Sequence, residues 1–163
     1  MPKLQTQRQS FLVDSAMILA LILIGVVGYK ASPLLLPKAD ITATPDPACD
    51  LQRGACRVAL PSGGSLSFAL TPRPIPVIAP IEMAVELEGA SADRVAVDFA
   101  GVSMNMGFNR PGLAPVAGSG GRRFTGQATL PVCVTGRMTW QATVLVESGA
   151  RRIAVPYRFD AGH

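Results

Sequence analysis

The chain has 163 residues, 48% of them hydrophobic, which suffices for one ordinary domain with a buried core and a short appendage. Its formal charge of +4 arises mainly in the first 38 residues, because the remainder carries eleven arginines against ten acidic residues. A nucleic-acid-binding surface needs clustered basic charge with stacking aromatic side chains, so the nearly neutral body argues against one.

The first predicted element is a membrane-spanning helix over Phe11–Tyr29. Its residues are almost all apolar or small, and about 19 of them are enough to cross the hydrocarbon core of a bilayer. Lys3 and Arg8 favour a cytoplasmic location for residues 1–10. A cleaved signal peptide is the alternative, but the sequence around Lys30 lacks the small residue expected before a cleavage site.

A proline-rich segment, residues 30–48, follows the predicted span. It carries Pro33, Pro37, Pro45 and Pro47, and such a composition favours an extended tether. We therefore expect a single-pass protein whose remaining residues, 49–163, form a domain on the far side of the membrane.

From Cys49 onward the hydrophobic pattern has a period of two, which predicts β-strands. In Ile81–Glu88, apolar residues alternate with three glutamates, and Arg94–Phe99 repeats the pattern. Apolar residues of one parity also predict a strand that begins at Met138 and another that begins at Ile153. Weaker candidates are Cys56–Leu60, Ser65–Leu70 and Arg123–Leu130.

These segments amount to about seven strands, separated by turns rich in glycine and proline, such as Pro111-Gly112, with no long helical pattern between them. The arrangement is typical of an immunoglobulin-like antiparallel sandwich, so the predicted fold class is all-β. Pro156 marks the last strand as an edge strand, because proline cannot donate to a central ladder.

Several kinds of catalytic site are missing from the sequence. Beyond Lys38 there is no lysine, and the one histidine is His163, so a serine or cysteine nucleophile lacks its usual nitrogen base. No glycine-rich phosphate loop links a strand to a helix, and no Cys-x-x-Cys pair is present. The acidic residues of Ile81–Glu88 are typical of a solvated strand face. The sequence therefore predicts that the protein is not an enzyme.

Met104 and Met106 stand out in the stretch Gly101–Asn109. An extended backbone projects both thioethers to the same side, roughly 7 Å apart, and the flanking glycines suit a strand end that turns into a loop. Thioethers and thiolates favour Cu(I), and competing imidazoles are nearly absent. We therefore take the pair as a candidate Cu(I) site at a rim of the sheet. The alternative is that these methionines are flexible core filler.

The three cysteines allow a small disulfide and one leftover thiol. Cys49 and Cys56 lie seven residues apart around a glycine, and an oxidising compartment permits a bridge between them. Cys133 falls between two predicted strands; it is a candidate third copper ligand, a buried structural thiol, or a partner for Cys56 across the sandwich. Met138 is a further candidate ligand, ranked lower because its parity places it in the core beside Trp140. Met83 is ranked lower still.

Three pieces of the sequence resemble one kind of bacterial domain. They are Ser103-Met-Asn-Met-Gly107, Gly120-Gly-Arg-Arg-Phe-Thr-Gly126 and Arg137-Met-Thr-Trp140. Together with an N-terminal anchor they are similar to the YtkA-like and FixH-like periplasmic domains, over roughly Cys49–Phe159. The resemblance implies a bacterial inner-membrane protein with a periplasmic sandwich, engaged in copper handling or in the assembly of cytochrome oxidases. It implies a copper-receiving protein or a respiratory oxidase protein as the partner. This chain departs from copper carriers of similar fold in lacking histidine ligands.

Two functions from different classes therefore remain open. The first is a membrane-anchored accessory protein that binds Cu(I) through methionine and cysteine and releases it to a docked partner. The second is a metal-free interaction or scaffolding module that binds a membrane complex through the rim of its sandwich.

Overall fold

The computed structural model describes residues 16–27, 39–104, 107–131 and 136–162. It divides the chain into two compact units, Met1–Lys38 and Ala39–His163. In the first unit, residues 16–27 are helical with exposed side chains. Among the described residues, no helix combines the length and apolar character needed to cross a membrane. The two ends of the predicted span Phe11–Tyr29, and the first part of the predicted tether, lie outside the described residues.

The second unit is built of β-strands, which confirms the all-β prediction. Its described part contains nine strands, and all their pairings are antiparallel except that of β1 with β9. The strands are β1 (Ile41–Thr42), β2 (Cys56–Ala59), β3 (Ser65–Thr71), β4 (Pro80–Glu88), β5 (Arg94–Gly101), β6 (Gly112–Pro115), β7 (Arg123–Thr129), β8 (Met138–Ser148) and β9 (Arg151–Ala161).

The strands form one mixed sheet in the order β1-β9-β8-β5-β6-β7-β4-β3-β2. β6 links its two halves, because Leu113 pairs with β5 and Ala114 pairs with β7. The sheet curls, since the rings of Phe68 on β3 and Tyr157 on β9 lie 5.4 Å apart although their strands are far apart in the order. The core lies between the two halves.

The predicted alternation is confirmed on β4, β5 and β8, where one parity forms the core and the other is more exposed. On β9 the alternation is interrupted at Ala154, which is buried together with Ile153 and Val155. The largest fully buried side chains include Trp140, Phe68, Phe99 and Phe124. Alternation of this kind fixes the register, because a slip of one residue would bring the outward-facing glutamates of β4 into the core.

Two short strands depart from the sequence prediction of about seven. β1 lies in the range assigned to the tether, and the compact unit begins at Ala39 rather than at Cys49. β6 begins at Gly112, within a predicted turn. Strands of two and four residues are too short to show a full alternating pattern, which explains why both were missed.

The prediction that Pro156 marks the last strand as an edge strand is wrong, because β9 lies between β1 and β8 in the sheet. β1, however, pairs only with Ile153 and Ala154. At Pro156 itself, β9 therefore pairs with no strand on its outer side in the part of the chain that the structure describes. This is a position where the missing N–H of proline is tolerated.

The β unit has two ends, which we name the entry end and the rim. At the entry end the chain comes in from Ala39, and the Asp40 N–H donates to the Arg152 carbonyl oxygen at 2.9 Å. β9 runs from there to the rim, where β3, β5 and β7 also finish and β4 and β8 begin. From Arg152 to Ala161 a strand covers roughly 30 Å, so the rim lies far from the point of chain entry.

Candidate functional site

The loop that carries Met104 is at the rim, as predicted. β5 ends at Gly101, and the returning chain runs beside it: the Phe99 N–H donates to the Asn109 oxygen at 2.8 Å, and the Val97 N–H to the Pro111 oxygen at 3.0 Å. This register puts Met104 midway around the loop, where 40% of the residue is exposed. Met106, the second candidate ligand, lies outside the described residues.

The start of β8 adjoins this loop. Gly101 pairs with Trp140, and the Val102 N–H donates to the Thr139 oxygen at 3.0 Å. The segment that leads into β8 therefore arrives beside the segment that leaves β5. Cys133 belongs to that leading segment by sequence and lies outside the described residues.

Met138 and Met83 are core residues. Met138 is 7% exposed and pairs with Ala161 in the ladder between β8 and β9, so the prediction that its parity puts it in the core with Trp140 is confirmed. Met83 is 1% exposed on β4. Neither thioether is presented at the surface.

In the described part of the chain, no three or more His, Cys, Asp or Glu residues form a cluster that could hold a metal ion. The interior there is apolar, with no buried charged residue. In these described residues the buried polar atoms without a hydrogen-bond partner are Trp140 Nε1 and Tyr157 Oη, and burial raises the pKa of the Tyr157 phenol. The candidate copper site therefore rests on Met104, Met106 and Cys133.

The predicted disulfide is present: Cys49 and Cys56 are bonded, with their Cα atoms 5.7 Å apart. Cys56 and the enclosed Leu51 are fully buried, so the closed loop is packed onto the core. The Leu51 carbonyl oxygen accepts a hydrogen bond from Arg73 Nε at 3.0 Å, which ties the loop to the segment between β3 and β4.

Gln52, inside the same loop, joins the two halves of the curled sheet at the rim. Its Nε2 donates to the Asp160 oxygen near the end of β9 at 2.5 Å, and its Oε1 accepts from the Ile75 N–H at 2.9 Å. We call the segment 49–56 the clasp. It fixes the loop 72–79 against β9, and this loop carries Ile78.

An apolar surface, which the sequence analysis missed, lies on the rim. We call it the apolar patch, and it consists of Ile78, Val102, Met104 and Phe108. Ile78 is 70% exposed and Phe108 82% exposed. Both segments lie beside the end of β7, since the Ile78 N–H donates to the Leu130 oxygen and Asn109, next to Phe108, donates from Nδ2 to the Thr129 oxygen.

Ile78 has a left-handed backbone, with φ of 63°. A β-branched residue in this region is a true outlier, and its strain costs about 1–3 kcal/mol. Burial of its own side chain does not offset that cost, because the side chain is exposed. The hydrogen bond to Leu130 and the burial of Ile75 nearby hold the loop in place.

A charged residue, Arg110, lies next to the apolar patch. Its guanidinium carbon lies 5.2 Å from the centre of the Phe108 ring, a cation–π contact, and its Nε donates to Asp98 Oδ1 at 3.2 Å. The Arg110 side chain is more exposed than that of Asp98. Arg110 is therefore the more exposed partner of this ion pair.

Some of this site has a signal in the sequence. Phe108 follows the Met-x-Met-Gly motif, and an aromatic residue in a loop of glycine and asparagine has no obvious core to enter. Ile78 has no comparable signal, because it stands in a run of prolines and aliphatic residues in which the sequence does not distinguish the buried Ile75 from the exposed Ile78.

No family model and no curated protein sequence matches this chain. Among solved structures, the crystal structure of an engineered protein is similar to it, with 19% sequence identity and a TM-score of 0.44. The match covers 64% of this chain and 21% of the engineered protein, so this chain spans about a fifth of that protein's length. No conclusion about fold or function is drawn from that likeness.

Proposed function

We propose that this chain is an accessory protein of the bacterial inner membrane that handles Cu(I) or helps to assemble a respiratory oxidase, with its β unit in the periplasm. The apolar run at Phe11–Tyr29 and the resemblance to YtkA-like and FixH-like domains support the location. The contact between Phe68 and Tyr157 across the curled sheet supports an immunoglobulin-like sandwich.

The observation that carries the copper proposal is the position of Met104. It is exposed at the rim, and the described flanks of the segment that contains Cys133 reach the same place through Val102 and Thr139. In the proposed mechanism Met104 and Met106 hold Cu(I), Cys133 completes the site, and the ion leaves by ligand exchange to a docked protein. Thioether and thiolate donors suit Cu(I) and suit Zn(II) less well.

The test replaces Met104 and Met106 with leucine in the full chain, purified in detergent. The volume is nearly conserved, so the loss in the free energy of unfolding stays below about 1.5 kcal/mol. We expect the parent to bind close to one Cu(I) in a chelator competition, and the Met104→Leu/Met106→Leu variant to bind much more weakly. Met83→Leu is the matched control, because it removes a buried thioether and leaves the rim unchanged.

A folded double variant that binds Cu(I) as tightly as the parent would show that these methionines are not the site. A parent that binds no Cu(I) would favour the second candidate function, a metal-free interaction module of a membrane complex. The observation behind this second candidate is the apolar patch, since exposed apolar patches commonly mark sites of protein association.

A further inference from the structure

We infer that the apolar patch, together with Arg110, docks a protein segment that presents apolar side chains next to a carboxylate. This inference rests on the proposed function, because a protein that delivers copper or supports an oxidase must meet a partner. It adds which residues meet that partner and what the partner's contacting surface carries.

The composition of the patch favours a protein partner. Aromatic residues, methionine and arginine are enriched at protein interfaces, and lysine is depleted. The rim presents Phe108, Met104 and Arg110, whereas the sequence beyond Lys38 has no lysine at all. Arginine stacked on an aromatic ring is also the type of residue that dominates binding energy at interfaces.

The strain at Ile78 points to the same role. An exposed β-branched residue with φ of 63° lowers stability and fills no part of the core. Strained residues of this kind cluster at binding sites, where the surrounding structure holds them. Here the clasp and the hydrogen bond to Leu130 hold the loop that carries Ile78 at the rim, beside the end of β7.

Charge sets the second property of the partner. The side chain of Arg110 is more exposed than that of its ion-pair partner Asp98. A planar guanidinium pairs with a carboxylate through two parallel hydrogen bonds, which gives direction as well as energy. An acidic side chain flanked by apolar residues therefore fits this surface, whereas a basic one would face Arg110.

A second copy of the chain fits less well. Stable protein interfaces bury about 800 Å² on each partner, from some 20–30 residues a side. The patch offers the four side chains named above, so it suits a short segment better than another folded domain. The patch is on the rim, at the end of the β unit away from Ala39.

The experiment uses the full chain in phospholipid nanodiscs, with a copper chelator present, and a phage-displayed library of random linear peptides as the probe. We expect enriched peptides to combine apolar residues with Asp or Glu. A peptide synthesised from the enriched set should bind at least tenfold more weakly to Phe108→Ser. Val116→Ser is the matched control, because Val116 is an exposed apolar residue near the entry end and its loss should leave binding unchanged.

A double-mutant cycle tests the charge. Arg110→Gln should weaken binding of the acidic peptide, and exchanging the peptide carboxylate for an amide should then cost little more, because the two changes remove the same contact. Phe108 is exposed, so Phe108→Ser should keep the unfolding midpoint of the parent.

Four outcomes would overturn the inference: no enrichment of acidic apolar peptides, equal binding to Phe108→Ser and the parent, Phe108-dependent binding of the full chain in nanodiscs to liposomes, or a Phe108-dependent dimer in sedimentation. Because the docking assay contains a copper chelator, a failure to bind the peptide would not contradict Cu(I) binding measured separately. Conversely, a chain that binds the peptide but no Cu(I) would support the docking surface and contradict the copper proposal.

Discussion

The two ends of the β unit are built differently. At the entry end, short turns bring backbone against backbone: a Cβ placed on Gly121 would lie 2.6 Å from the Ala92 oxygen, and one on Gly64 would overlap the Glu88 oxygen. The rim has one similar approach, since a Cβ on Gly162 would lie 2.8 Å from the Gly136 oxygen. Its longer loops are also held by the disulfide and by Gln52, and apolar side chains are exposed there. The entry end is therefore formed mainly by tight turns, whereas the rim also carries exposed apolar side chains.

Ion pairs at the entry end do not explain its stability. Arg152 Nε and Arg94 both approach Glu147, at 3.1 and 3.5 Å, but the three side chains are partly or mostly exposed. Exposed pairs of this kind contribute about 0–1 kcal/mol. The close backbone packing at the glycines is therefore the feature to test at the entry end, and the clasp is the feature to test at the rim.

The largest effect is expected at the entry end, from Gly64→Ala. The new methyl group would collide with the Glu88 oxygen, and Gly64 has φ of +82°, so we expect a loss of about 3 kcal/mol or more from strain and overpacking together. Urea unfolding of the full chain in detergent measures it. Gly63→Ala is the control, because Gly63 has φ of +95° but open space around its Cβ position.

The control should lose only the strain, about 1–2 kcal/mol. Equal losses for the two variants would mean that the approach of Gly64 to Glu88 does not limit the packing of this end.

Next in size is the loss of the clasp's disulfide in Cys49→Ser/Cys56→Ser. In the chain-entropy model, closing so short a loop contributes about 2–3 kcal/mol, and the double variant should lose this amount in urea unfolding. Amides that exchange through global unfolding, such as Val97 of β5, should lose only this amount in exchange free energy. The Ile75 and Ile78 amides should exchange faster than that global loss explains, because the loop 72–79 also loses its local support.

An equal loss of exchange free energy at Ile75, Ile78 and Val97 would contradict the clasp, because it would mean that the disulfide gives the loop 72–79 no support beyond its contribution to global stability. Unchanged exchange at Ile75 would show that Gln52 holds its position without the disulfide.

Much of the fold could be predicted because the long strands are half-buried. In β4, β5, β8 and β9, burial imposes a period of two that survives in the sequence, so the elements and their inward faces could be read directly. β1 and β6 could not, since two and four residues carry too little of the pattern. The pairing of β1 with β9 also depends on contacts across more than a hundred residues, which no local pattern encodes.

The site was predictable in part. Glycines around Met-Asn-Met indicated a strand that ends in a loop, and β5 does end at Gly101. The apolar patch depends on loops from different parts of the chain meeting at the rim, and on Ile78 adopting a left-handed backbone. A sequence of prolines and aliphatic residues indicates a loop but not which apolar side chain faces outward.

The smallest effect on stability is expected from Ile78→Gly. This variant should be more stable than the parent but should bind the peptide more weakly. Glycine adopts positive φ without steric cost, so relief of strain should offset its greater freedom in the unfolded chain and raise the free energy of unfolding by about 0.5–1 kcal/mol. Removal of the exposed side chain should at the same time weaken binding of the acidic apolar peptide. The two results together would show that the strained backbone of Ile78 favours binding of a partner and not the stability of the fold.

Urea unfolding and peptide titration of the same preparation measure both, with Val116→Gly as the control at the entry end. A destabilised Ile78→Gly variant would mean that the isoleucine supports its loop, and binding equal to that of the parent would remove Ile78 from the docking surface.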